Sequence, residues 1–416
     1  MTKKAFLLLT LILCLSVALI VAGCAEKDGE EVVEEKEEIV IGAARSYTGP
    51  LAIQDVSCFG PVYRMWIDEV NERGGIYVEE YGKRLPVRLL KYDDTSDMNT
   101  MTNLLKKLIV EDEVDFLLAP ISTAFLKAAA QICNEHNFLL IGAEGGAKEL
   151  EPLMAEMPYF FSLLNYATQQ AGPLVDMLAE HNIESAAIIY IEDQHGLEYK
   201  NDLVPLLEDA GIEVVFDKAI PMGVKDVSSI IEEAKSKNAK ALLCCAYPDE
   251  NFAVMDECIA SDYNPDVILF GPGACFEVFY QIYGENSEGV MGWGAWNEKS
   301  SDKLKDLAER LIAHQGGERN MDWWGMAIYY AGLEALEQAI EKAGTLDHEE
   351  IKDILATEKF DTVVGELWFE NGGVPAECYP GQVGQWQNGI FEVVAPNDKA
   401  TNDPLIPKPK WQAKSE

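Results

Sequence analysis

The sequence is poor in the residues on which most metal sites and many active sites rely. Five histidines are scattered through 416 residues, and the nine cysteines never occur as C-x-x-C. That pattern argues against a zinc site and does not read as a disulfide framework. The strings G-x-x-x-x-G-K-[ST], H-E-x-x-H and G-x-S-x-G are absent, and "GWGAW" (292–296) lacks the spacing of a dinucleotide loop. No catalytic residue, metal or cofactor is expected. Positive charge is scarce too: 33 Lys and Arg face 71 Asp and Glu, a net charge of −38. A surface of that sign repels phosphate backbones, so nucleic acid is a poor partner. Apolar runs long enough to span a membrane are lacking after residue 22, so the body reads as soluble.

The one long apolar run is residues 5–22. Lys3 and Lys4 precede it, and Ala22, Gly23 and Cys24 follow. Charged start, apolar core and small residues describe a secretory signal, here residues 1–23. A plain membrane anchor is the alternative by length alone, and ordinary cleavage is another. No Lys or Arg closes the far side of the run, which weighs against the anchor. "VAGC" resembles a lipobox, whose cysteine is acylated. Residues 24–38 then form an acidic tether: residues 25–38 hold eight carboxylates and two lysines. Such a stretch buries too little to fold and self-repels. Removing residues 1–23 leaves 416 − 23 = 393 residues, room for two or three domains.

The body alternates two periodicities. "IVIGA" (39–43), "VRLLKY" (87–92), "DFLLA" (115–119) and "LLIGA" (139–143) are short strand-like runs. Between them lie helical stripes, such as Val62, Met65, Trp66 and Val70. Asp93 and Asp94 read as caps of a helix starting near residue 98. The alternation restarts with "AAIIYI" (186–191), "EVVFD" (213–217), "ALLCC" (241–245) and "VILFG" (267–271). Two rounds of strand and helix imply two α/β lobes with parallel sheets. "GELWFE" and "GQWQNGIFEVV" add later strands, and "PLIPKPKW" reads as a surface tail.

Ligands of such sheets bind beyond the carboxyl ends of the strands. The loops there are "RSYTGP" (45–50), "PIST" (120–123), "AEGGA" (143–147), "EDQHG" (192–196), "AYPDE" (246–250) and "GPGACF" (271–276). Hydroxyls, glycines and single aromatics suit a small solute, held by backbone N–H groups and helix N-termini. The same residues also serve plain turn and cap chemistry. His195 lies in one of these loops, whereas His136, His181, His314 and His348 read as surface positions.

The lipobox, "GAARSYTGPLA", "VNERGGI", "LLKYDDTSD", "GAEGGAKEL", "EDQHG", "GVKDVSSII", "LFGPG" and "PKPKW" resemble the periplasmic-type solute-binding proteins for branched-chain amino acids. The resemblance covers most of residues 39–411. It implies the type I periplasmic-binding-protein fold, in which two doubly wound parallel-sheet lobes are joined by a three-crossover hinge. Lobe 1 would be 39–160 plus 297–365, lobe 2 161–296 plus 366–400, and 401–416 a C-terminal tail. It further implies a small-molecule solute, delivery to the permease of an ABC transporter, a lipid anchor outside the cytoplasm and a monomer. A ligand-sensing module and an enzyme on a related scaffold are the rival readings.

Carried over by position, Ser122 and Thr123 would hold a ligand carboxylate, with Glu144, Gly145 and Gly146 in the adjacent loop. Gln54 and His195 fall where relatives often have aromatic residues. Tyr247 would cover the ligand. Trp324, with Trp323, would lie near the side-chain pocket. Gly273 falls where amino acid binders supply an acid for the ligand's ammonium, and it cannot do so. Lipid attachment at Cys24 is expected to be lost in Cys24→Ala, leaving uncleaved or released protein. Mass spectrometry of the mature chain checks this, and an unmodified mass retained at the membrane would contradict it.

Overall fold

The computed structural model describes residues 35–146, 148 and 150–412. The signal segment, Cys24 and the tether up to residue 34 lie outside the described residues, as do the last four residues. From Glu37 onward the described chain forms one compact unit.

Sixteen strands are present among the described residues. In chain order they are β1 (Ile39–Arg45), β2 (Ile76–Val78), β3 (Lys83–Leu85), β4 (Val87–Asp93), β5 (Phe116–Leu118), β6 (Leu140–Gly142), β7 (Phe160–Ser162), β8 (Ser185–Ile191), β9 (Glu213–Ile220), β10 (Ala241–Cys245), β11 (Val267–Phe270), β12 (Val290–Trp293), β13 (Phe360–Thr362), β14 (Gly365–Leu367), β15 (Val383–Gln387) and β16 (Ile390–Ala395). The first sheet has the order β4-β1-β5-β6-β7 and is parallel throughout. The second has the order β16-β15-β12-β11-β10-β8-β9. Its β8–β12 pairs are parallel, but β15 pairs antiparallel with β12 and β16, so the second sheet is mixed.

The sequence explains this division. β10 (ALLCC) and β11 (VILF) are buried at every position. Continuous apolar runs of this kind suit strands covered on both faces. Cys244 and Cys245 point to opposite faces and both are buried, behaving as small apolar residues. Helices Gly60–Glu72 and Gly325–Ala343 pack together beside the first sheet, and Val62, Met65, Trp66 and Val70 all face inward. The chain leaves the first sheet after β7; after β12, helix Gly325–Ala343 packs beside the first sheet, β13 and β14 pair as a separate two-stranded sheet, and β15 and β16 then join the second sheet.

Two local expectations are corrected, and the tail, which lies at the surface as expected, is tied down. Helix Met98–Val110 is capped by Asp97, whose side chain accepts from Thr100 N, and not by Asp93 or Asp94. Asp93 instead accepts from Tyr47, Thr48 and Thr95, and Asp94 from Ser46 and Ser96. Those bonds tie the end of β4 to the loop leaving β1. His348 is not a free surface group: its Nδ1 accepts from Leu139 N, it packs on Phe116 and Phe138, and burial pushes its pKa down to about 4. The tail is held to the body: Lys408 is buried, its N–H donates to Asp266 O, and Trp411 Nε1 donates to Tyr263 O.

One glycine fixes the approach of a helix to the second sheet. Gly196 lies in the first turn of helix Gln194–Asp209, and a Cβ there would sit 2.0 Å from Ile191 O. Gly196→Ala therefore has to push the helix away from β8. We expect a loss of about 1–3 kcal/mol, read by denaturant unfolding. An unchanged midpoint and slope would contradict this packing.

Candidate ligand-binding site

Loops from both sheets converge on one small cavity of about 40 Å³. The first sheet contributes the turns after β5 and β6, and the second those after β8, β10 and β11. All leave the carboxyl ends of parallel strands, where backbone N–H groups and helix starts face the crevice. Eight of the expected residues line it: Gln54, Ser122, Glu144, Gly145, Gly146, His195, Tyr247 and Trp324. Thr123 and Gly273 do not. Thr123 sits beside the wall and donates from Oγ1 to Glu198 Oε1 at 3.3 Å. Gly273 makes a turn at φ +118°, and its place in the lining is taken by Pro272. A larger groove of about 1300 Å³ lies over helix Pro248–Ala260 and the tail, but its walls include none of the residues around this cavity.

Several wall positions have a visible structural cause. Ser122 is held at φ +93°, a conformation that costs a non-glycine residue and is retained mostly at functional sites. Its Oγ accepts from Phe125 N at 3.4 Å, so it also caps helix Thr123–Glu135. Gly145 and Gly146 serve close backbone packing, since a Cβ would lie 2.8 Å from Thr123 Cα or 2.5 Å from Asn165 O. Asp322 accepts from Trp324 N and Gly325 N, starting helix Gly325–Ala343 and setting Trp324 against the cavity. Tyr247 stacks on His195, with centroids 5.0 Å apart and planes at 15°. Burial, reinforced by Asp193, drives the Tyr247 hydroxyl far above its ordinary pKa, so it stays protonated.

Behind the wall Glu144 belongs to a charged cluster whose other members, Arg45 and Asp55, were not among the residues expected from sequence. Arg45, at the end of β1, is fully buried. Its Nε donates to Asp55 Oδ1 at 2.8 Å and its Nη1 to Glu144 Oε1 at 2.7 Å. Nη1 also donates to Ala119 O, and Phe59, Tyr63 and Tyr329 surround the guanidinium with centroids 5.0–5.8 Å away. Burial opposes the charge on Arg45, but Tyr329, Glu144 and Asp55 outweigh it and hold its pKa above the ordinary value. Glu144 Oε2 accepts from Ala143 N at 2.7 Å. Phe59, Leu164, Glu198 and Tyr199 are further wall residues outside the expected set. Glu198 was detectable in principle, because it follows His195 by three residues on one helical face.

Glu144 gives the cluster a pH signature. Burial pushes its carboxyl up from 4.5 to about 7, with Arg45 pulling the other way. Between those values the folded chain holds a proton that the unfolded chain has released, so stability falls as pH rises. At about 1.4 kcal/mol per pH unit, Glu144 should cost the wild type about 3 kcal/mol on going from pH 4 to pH 8. Glu144→Gln should remove that part of the pH dependence in denaturant unfolding. Parallel curves for the two proteins would show that Glu144 does not titrate in this way.

Comparisons with known proteins agree with this architecture. A leucine-, isoleucine-, valine-, threonine- and alanine-binding protein of Pseudomonas aeruginosa is 24% identical over 342 residues, 81% of this chain and 87% of that one. The Leu/Ile/Val-binding protein of Escherichia coli is 22% identical, covering 81% and 88% of the two chains. Among solved structures, a leucine-binding protein of Thermotoga maritima aligns with a TM-score of 0.73 at 20% identity, over 86% of this chain and 99% of that one. A Rhodopseudomonas palustris solute-binding protein in complex with benzoate aligns with a TM-score of 0.74 at 15% identity, over 89% and 99%. These structural likenesses establish the type I two-lobe fold. The sequence profile described as periplasmic binding protein matches residues 38–389, and the chain belongs to that family.

Proposed function

We propose that the protein is an extracytoplasmic solute-binding lipoprotein that captures a small solute between its lobes and passes it to an ABC-type importer. The observation that carries this reading is the cavity itself, built from strand-end loops of two sheets at once. A solute there touches both halves only when they approach, and hinge closure around a ligand is the known behaviour of periplasmic binding proteins. On this reading the lobes are 39–160 plus 297–365 and 161–296 plus 366–400, the lipid sits on Cys24, and the acidic tether lets the receptor turn and dock. The protein acts as a monomer and not as an enzyme.

The solute is an amino acid, an amide or a related small carboxylate. Ser122 and the start of helix Thr123–Glu135 supply hydrogen-bond donors for a carboxylate. Phe59, Tyr247 with the stacked His195, and Trp324 surround its apolar part. Flat groups match those faces better than branched ones, so leucine, isoleucine and valine should bind weakly.

Small-angle scattering of solute-free protein tests closure. Addition of a solute that calorimetry shows to be saturating should reduce the radius of gyration. An unchanged profile at saturation would contradict capture by lobe closure.

A further inference from the structure

Away from the cavity, a narrow seam joins the half of the chain built on the first sheet to the half built on the second. Residues 275–277 follow β11 and enter helix Glu277–Tyr283, whose Phe279 packs on Phe252 and Phe270. Residues 319–324 lead into helix Gly325–Ala343, which packs beside the first sheet. Asn320 Nδ2 donates to Val56 O at 2.8 Å and Cys58 Sγ to Asp322 Oδ2 at 2.6 Å, which fixes this segment to the first half. The two segments pair as a short antiparallel bridge at Phe276 and Asp322. Glu277 N donates to Met321 O at 2.9 Å, and Trp323 N donates to Cys275 O at 3.1 Å.

An ion pair spans the same seam. Arg319 Nε and Nη2 donate to Glu277 Oε1 at 3.1 and 3.0 Å, and Nη1 donates to Glu298 Oε1 at 3.3 Å. The guanidinium also lies over the Trp323 ring, 5.5 Å from its centroid. The Glu277 side chain is 6% exposed and that of Arg319 44%. Burial pushes the Glu277 carboxyl up, and Arg319 pulls it back. Trp323 O accepts from Ala295 N and Trp296 N, so the seam stands beside the segment that leaves β12. Rotation of one half against the other has to bend or break it. Neither Arg319 nor Glu277 lines the cavity, so the pair forms without touching a solute.

We propose that Arg319 and Glu277 are a clasp between the two halves, a positioning pair that biases the protein toward its closed arrangement before a solute enters. This rests on the lobe-closure reading above and adds what sets the resting position of the lobes. A solute that binds the closed form gains apparent affinity from that bias. The pair therefore governs how tightly a solute is held while remaining outside the site.

Small-angle scattering of solute-free protein reads the bias directly. Glu277→Gln keeps the shape of the side chain and removes its charge, and it should raise the radius of gyration above that of the wild type. Arg319→Gln should do the same. The double variant should go no further than the larger single effect, because both changes act on one pair. Arg310→Gln is the control: it removes the Arg310–Glu69 pair, which lies within the first half, and should leave the radius unchanged. Circular dichroism checks that each variant is folded, and Glu277→Gln decides alone if Arg319→Gln is not. An unchanged radius in folded Glu277→Gln, or an equal rise in Arg310→Gln, would overturn the clasp. Calorimetry with phenylalanine and benzoate as probes adds a second reading: any probe that binds the wild type should bind Glu277→Gln about threefold or more weakly. Equal affinity would count against the clasp as well. A saturating solute that leaves the wild-type radius unchanged would sink closure on the solute, a failure distinct from the solute-free comparison.

Discussion

The site depends on one buried cation. Arg45 joins the end of β1 to Asp55 in the helical segment before Gly60, to Ala119 after β5 and to Glu144 after β6. Tyr329, from helix Gly325–Ala343, reaches the same guanidinium at 3.3 Å. Parts of the chain far apart in sequence are thus held by one side chain. Removing one partner of such a buried arrangement leaves a bare charge and typically costs about 3–5 kcal/mol. The cluster also explains why Glu144 can stand in the wall of an apolar cavity, since its charge is answered from behind.

The opposite wall is organised differently. On the second-sheet side, rings replace the ion cluster: His195 stacks on Tyr247, and Tyr199 stacks on Trp293 at 5.3 Å. The Tyr199 hydroxyl donates to Gln170 Oε1, anchoring the helix that carries His195 and Glu198. One wall is fixed by charge and the other by stacked rings, and the cavity lies where they meet. The Arg45 side holds the loops of the first sheet in place through its bonds to Ala119 and Glu144.

Much of this was legible in the sequence. The alternation of strand and helix patterns, the inward stripe of Val62, Met65, Trp66 and Val70, and the strand-end position of the loops follow from periodicity alone. Other features were not. Arg45 follows a strand directly and reads as a loop charge, because its partners Asp55, Glu144 and Tyr329 are distant in sequence. Asp93 and Asp94 suit a cap by composition, yet Asp97 stands at the helix start and takes that role. The antiparallel pairing of β15 required knowing which sheet receives it. Gly145 and Gly146 look like room for a ligand, but their freedom from a Cβ serves contacts with Thr123 and Asn165.

The central claim is that the space between Glu144 and Glu198 holds the solute. A crystal structure of protein purified without denaturation, or soaked with a solute that calorimetry shows to bind, tests it most directly. The account predicts density for one small molecule touching Ser122 on one side and Tyr247 on the other, with the lobes closed around it. A bound solute seated elsewhere, such as in the groove between helix Pro248–Ala260 and Trp411, would contradict it.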